Sequence, residues 1–279
     1  MQRRWTVGVD GSDDAQSALR WAALMGAALG EEVQPLVAWY VPIPISTAFG
    51  RRPIDVDRAG IEATAAYFGD HCTDDIDVPG VTFLDAEVVE GHPADVLVDR
   101  SGPLRPVVAG RRGVSGLKHR LLGSTSSDLA VHASGPVVIV PTGSEPVLPG
   151  RIVVGFDGSD LAAAALRWAM DVAPPGSTIE ALVAIDVVGW KADVVTDADA
   201  GGAERMRVEG VLDQVDPDGV VERTFVPHGP HDALTDAFER ADLMVVGPRG
   251  AGAMTRLILG SISAWLLQTA PCPVAVVPT

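Results

Sequence analysis

Short apolar runs recur along the first half of the chain at residues 6–10, 33–41, 81–89, 106–110 and 137–141, and the stretches between them read as helices. Between the first two runs, Ala18, Leu19, Trp21 and Ala22 lie at helical spacing, which predicts an amphipathic helix with Trp21 in its core-facing stripe. The run Val137-Val138-Ile139-Val140 has no polar alternation, the mark of a strand covered on both faces. Strands alternating with helices predict a parallel sheet with right-handed crossovers and a helical layer on each side.

The second half repeats the first. Val7-Gly8-Val9-Asp10-Gly11-Ser12 matches Val154-Gly155-Phe156-Asp157-Gly158-Ser159, and Ala18-Leu19-Arg20-Trp21-Ala22 matches Ala165-Leu166-Arg167-Trp168-Ala169, both at an offset of 147. Leu36-Val37-Ala38 matches Leu182-Val183-Ala184 at 146, and from Pro93 and Pro230 to Val137 and Val274 the offset is 137. The first copy therefore carries about nine extra residues between Ala38 and Pro93, most simply in the Pro-rich stretch 41–47. Repeats of this length are domain-sized. Residues 142–150 have linker composition, so the expected organisation is a domain over 1–143, a linker over 144–150 and a domain over 151–279. Each domain is expected to be a doubly wound α/β unit.

Each copy also carries one glycine frame. Gly110 and Gly113, nine further residues and then Gly123-Ser124 are matched by Gly247, Gly250 and Gly260-Ser261. Each frame follows an apolar strand-like run and opens a helical one, so it presents backbone N–H groups at a helix N-terminus, where phosphate oxygens bind. Gly110 and Gly113 permit a tight turn close to a ligand, and a side chain at Gly123 or Gly260 is expected to occupy phosphate volume. One frame alone also fits ordinary turn and N-cap chemistry. The matched pair favours nucleotide binding.

Composition narrows the choice of ligand and setting. A net charge of −16 and a pI near 4.6 argue against coating nucleic acid or an anionic membrane, so an anionic ligand has to be held locally. Two cysteines, Cys72 and Cys272, lie one in each half and suggest neither a disulfide framework nor a cysteine-rich metal site. Arg3-Arg4 passes straight into the first strand with no leader-like stretch, and the longest apolar run, 21–29, is too short to cross a bilayer. A cytoplasmic setting is expected. The six histidines show no paired metal-ligand spacing.

With the repeat, the Asp-Gly-Ser after the first strand, the glycine frame and the Pro-Val end strand in place, the chain resembles the tandem universal stress proteins, in their ATP-binding subgroup. The resemblance spans nearly the whole chain. It implies a Rossmann-like or flavodoxin-like fold, a five-stranded parallel sheet of order 3-2-1-4-5 in each domain, ATP in each domain with Mg²⁺ as a possible companion, and assembly through the last strand, as a homodimer or as a pseudo-dimer within one chain. It also implies a regulatory role in stress survival or growth arrest, with a downstream protein partner.

In that strand order the crevice lies between the first and fourth strands, beyond their carboxyl ends. Asp10, Gly11 and Ser12 should meet Gly110, Arg112, Gly113, Gly123 and Ser124 there; Asp157, Gly158 and Ser159 should meet Gly247, Arg249, Gly250, Gly260 and Ser261. By resemblance Asp10 and Asp157 contact the adenosine part, while their residue types alone also fit helix capping with Ser12 and Ser159. Trp39 and Ile185 align with the family position whose backbone meets adenine, although as side chains they read as core. Pro248 stands where the first frame has Arg111 and removes one N–H donor, so sites of unequal affinity are expected. Lys118, His119, Arg120 and Arg256 are candidate phosphate partners, with solvated loop cations as the alternative, and Arg51-Arg52 a candidate lid.

No catalytic residue is expected. The chain has no G-x-x-x-x-G-K-[ST], no G-x-G-x-x-G after the first strand and no G-x-S-x-G elbow. A nucleotide-binding regulator is the leading expectation; a slow ATPase or nucleotidyl transferase with Asp10 or Asp157 on a metal, and an interaction module without nucleotide, are the alternatives.

Overall fold

The structure, a computed structural model, describes residues 3–41, 57–113, 122–143, 145–185, 198–250 and 259–279. The first half runs β1 (Arg4–Gly8), α1 (Asp13–Leu29), β2 (Glu32–Trp39), α2 (Arg58–His71), β3 (Thr82–Phe83), β4 (Glu87–Glu90), α3 (Pro93–Arg100), β5 (Val107–Gly110), α4 (Ser124–His132) and β6 (Val137–Val140). The second runs β7 (Arg151–Gly155), α5 (Asp160–Val172), β8 (Thr178–Ala184), α6 (Ala198–Val215), β9 (Glu222–Val226), α7 (Pro230–Ala237), β10 (Leu243–Val246), α8 (Ser261–Thr269) and β11 (Val274–Val276).

The strands lie in the order β3-β2-β1-β5-β6-β11-β10-β7-β8-β9, with β4 also paired to β2. Within each half every pairing is parallel and the order is 3-2-1-4-5. The strand expected over 81–89 is broken in two. Between the pieces the buried Gln34 side chain donates to the carbonyl of Asp85, taking the place of a ladder bond. In the second half the residue in register is Glu180, engaged instead by Arg240 and Arg151, and β9 is continuous.

The two halves make one sheet. β6 and β11 pair antiparallel, with Val138 opposite Ala275, so each last strand satisfies the edge of the other and neither row of backbone groups is left exposed. Two apolar layers run across the whole sheet. One packs α1, α2, α5 and α6 on it, the other α3, α4, α7 and α8. Trp21 and Trp168 are buried as expected, and Trp5 lies against both, edge to face, at 5.6 and 6.5 Å. Because Trp5 and Trp168 come from different halves, this cluster pins the domains together, aromatic pairs adding about 0.5–1.5 kcal/mol beyond the area they bury. Arg3 is buried beside it, bonded to Glu31 at 2.7 Å and, across the seam, to Asp171.

Candidate functional site

β1 ends at Gly8, and the chain turns through Gly11, whose φ of +84° suits glycine, into α1. Ser12 is the N-cap: its Oγ accepts the N–H of Ala15 at 3.2 Å. Asp10 sits one step behind, its Oδ1 accepting the N–H and the hydroxyl of Ser12 at 3.0 and 2.6 Å. The second domain repeats this arrangement, with Gly158 at φ +73°, Asp157 accepting the N–H of Ser159 at 3.0 Å, and Ser159 capping Ala162 at 3.1 Å. The capping alternative is therefore met by the serines. The aspartates orient the caps and keep their carboxylates at the strand ends.

The glycine frames arrive at the same point. A methyl group on Gly113 would run into the Asp10 carboxylate, and one on Gly250 would lie 2.8 Å from Oδ2 of Asp157. A methyl on Gly110 would lie 2.6 Å from the Asp14 backbone and one on Gly247 3.0 Å from Leu161, so these glycines let the loops pass over the first turns of α1 and α5. Gly123 and Gly260 donate their N–H to the carbonyls of Arg111 and Pro248, each at 2.8 Å. Their φ values, −68° and −63°, suit any residue; added methyls there would crowd the loop backbone at 3.1 Å. This refines the expectation for these two positions, since the side chain excluded there would press on the loop itself.

A cavity lies against each glycine frame. The first, about 330 Å³, is lined by Asp10, Gly110, Arg112, Gly113, Gly123 and Ser124 on its polar side and by Leu36, Ala38 and Leu97 on its apolar side. The second, about 270 Å³, includes Asp157, Gly247, Arg249 and Gly250. Gly260 and Ser261 stand beside its lining, as do Gly158 and Ser159, while Gly11 and Ser12 stand beside that of the first. Trp39 and Ile185 turn away into the core under α2 and α6; Trp39 is buried and lies under the Arg58 guanidinium. Neither residue lines either of these two cavities, and Tyr40 lines the first.

At both floors a helix begins with no side-chain cap: Gly123 and Gly260 are the N-caps of α4 and α8. Orphan N–H groups and the positive end of the helix dipole thus face each cavity. Two further serines, missed in the sequence, hold these helices in place. Ser126 donates to the Gly110 carbonyl at 2.8 Å and Ser263 to that of Gly247 at 2.7 Å, so each frame is tied back to its own helix. Their recurrence at the common offset of 137 was the available signal.

The two sites differ in their supports. In the first, buried Asp14 accepts the N–H of Arg112 at 2.9 Å and the hydroxyl of Thr142 at 2.7 Å; Leu161 stands there in the second. Arg111 is buried at the seam and donates to the carbonyl of Ala270, and burial, followed by the Arg112 charge, pulls its pKa below the usual guanidinium range. Over the second Asp-Gly turn, Arg207 from α6 donates to the carbonyls of Asp157 and Gly158 at 2.8 and 3.3 Å. Among the described residues no cluster of three or more His, Cys, Asp or Glu stands ready for a metal ion. Lys118, His119, Arg120, Arg256, Arg51 and Arg52 lie outside the described residues.

The universal stress protein family model matches residues 1–141 and again 149–278. The chain belongs to the universal stress protein family. It is 34% identical over 289 residues to a universal stress protein of Mycolicibacterium smegmatis, covering 97% of this chain and 95% of the relative. To one of Mycobacterium tuberculosis it is 30% identical over 298 residues, covering 97% and 94%. A solved universal stress protein from Archaeoglobus fulgidus superposes with a TM-score of 0.70 at 21% identity, over 99% of this chain and 98% of that one, which is a likeness of fold. The tandem universal stress protein architecture thus accounts for the repeat. No described helix is long and apolar enough to cross a membrane.

Proposed function

We propose that the chain is an ATP-binding regulator of stress response or growth arrest that holds an adenine nucleotide in each domain with little or no turnover. The observation that carries this reading is the meeting of Asp10 with Gly113, and of Asp157 with Gly250, above a helix N-terminus left uncapped. An acidic group beside a donor-rich helix end suits a ligand with hydroxyls at one point and phosphates at the next. The aspartates take the adenosine part; the N–H groups at Ser124 and Ser261 take the phosphates. A magnesium ion, if present, rides on the phosphates, as Mg²⁺ commonly does when the protein offers few carboxylates. Two buried, unpaired cysteines support a reducing, cytoplasmic setting.

Protein purified without added nucleotide and then denatured should release ATP or a related adenine nucleotide, at up to two per chain, and added ATP should raise the melting temperature. Finding neither would refute the reading.

A further inference from the structure

The phosphate ends of the two cavities are alike in plan, but their other ends are not. In the first, Tyr40, just after β2, and His92, just before α3, both line the cavity. Their rings meet at a centroid distance of 5.5 Å and a tilt of 46°. Counting along the repeat, their counterparts are Asp186, outside the described residues, and Gly229, so neither matched position carries a ring.

Folding gives these rings little to do. His92 is the N-cap of α3 yet makes no capping bond with its side chain, while Tyr40 remains 46% exposed. Among the described residues neither side chain has a hydrogen-bond partner. The cavity they border is apolar beneath them, at Leu36, Ala38 and Leu97, and turns polar toward Asp10, Gly113 and Ser124. A flat apolar ring suits one end and an anion the other. The separation of the two rings leaves no room for a third between them, since each carbon contact needs about 3.5 Å, so a guest ring lies against one face of the pair.

We propose that Tyr40 and His92 form a base-reading wall on which the purine of the nucleotide held in the first domain stacks. The proposal rests on the nucleotide reading above and adds to it which ring-bearing residues select the ligand. Stacking on aromatic side chains is a general means of holding a base.

The test is calorimetric titration of full-length protein carrying Gly250→Asp, which sets a second carboxylate against Asp157 and closes the second site, with ATP and separately with inorganic tripolyphosphate. Tyr40→Leu and His92→Gly, added singly, should each weaken ATP about tenfold and leave tripolyphosphate unchanged, while His92→Phe should keep the ATP affinity. ATP bound equally well by parent and ring-deleted variants overturns the base-reading wall and leaves the nucleotide reading standing. Equal loss of both ligands marks the rings as structural and also overturns it. A parent that binds neither ligand, with wild type equally silent, removes the nucleotide reading itself.

Discussion

Asp14, buried in the first turn of α1, holds the backbone N–H of Arg112 at 2.9 Å and so clamps the first glycine loop onto the helix that follows β1. The second loop has Leu161 beneath it, whose side chain carries no acceptor. Asp14→Leu, which makes the first support like the second, should lower stability by about 1–3 kcal/mol, because the Arg112 N–H and the Thr142 hydroxyl both lose their acceptor. ATP affinity at the first site should fall and that at the second should hold. Asp14→Asn, which keeps an acceptor, should cost less; chemical denaturation and titration of the two variants decide the matter.

Each site can be closed separately. Gly113→Asp and Gly250→Asp place a new carboxylate against Asp10 and Asp157, at positions whose φ is not positive. Each single variant should release less nucleotide than wild type on denaturation, and the double variant none, with far-ultraviolet circular dichroism unchanged. Undiminished nucleotide in the double variant would mean that the ligand sits elsewhere.

Acid stability should depend on Glu180. Arg240 binds both of its carboxylate oxygens, at 2.8 and 3.0 Å, and holds its pKa below the ordinary value against the opposing effect of burial. A carboxylate with a depressed folded-state pKa adds stability above its unfolded value, near 4.3, and loses it as the pH falls through the folded value. Glu180→Gln should therefore destabilise the protein at neutral pH and flatten the decline of stability below about pH 5, as read from melting temperatures across that range.

Burial pushes the Cys272 thiol up to about 12 and also raises that of Cys72. Both thiols are buried, so a disulfide reagent at about pH 8 should label no thiol in native protein and two after denaturation. Fast labelling without denaturant would contradict the packing around them.

Much of this was legible in the sequence because strands and glycine turns are local signals. The runs at 6–10, 106–110 and 137–141 became β1, β5 and β6 because short valine-rich runs with little polar alternation suit a strand covered on both sides. What escaped was phase and distant contact. Along β2 side chains alternate, Val37 and Trp39 to one apolar layer and Leu36 and Ala38 to the other, so the residue that continues toward the cavity is Tyr40. Two adjacent aromatics gave no hint of which face each would take. The break between β3 and β4 was equally hidden, since it depends on Gln34 reaching Asp85 across 51 positions of chain. Asp14 looked like one more acidic residue in a first helical turn, and only the return of the chain at Arg112 and Thr142 shows what it holds.

The antiparallel union of β6 with β11 has a consequence for how such a molecule can change. In a dimer of identical chains a two-fold axis imposes every substitution on both halves at once, so the two sites must stay the same. Written as one chain, the halves escape that rule: Arg111 stands where the second half has Pro248, and Asp14 and His92 are answered by Leu161 and Gly229. The sheet keeps the geometry of a symmetric pair while its two cavities are free to diverge.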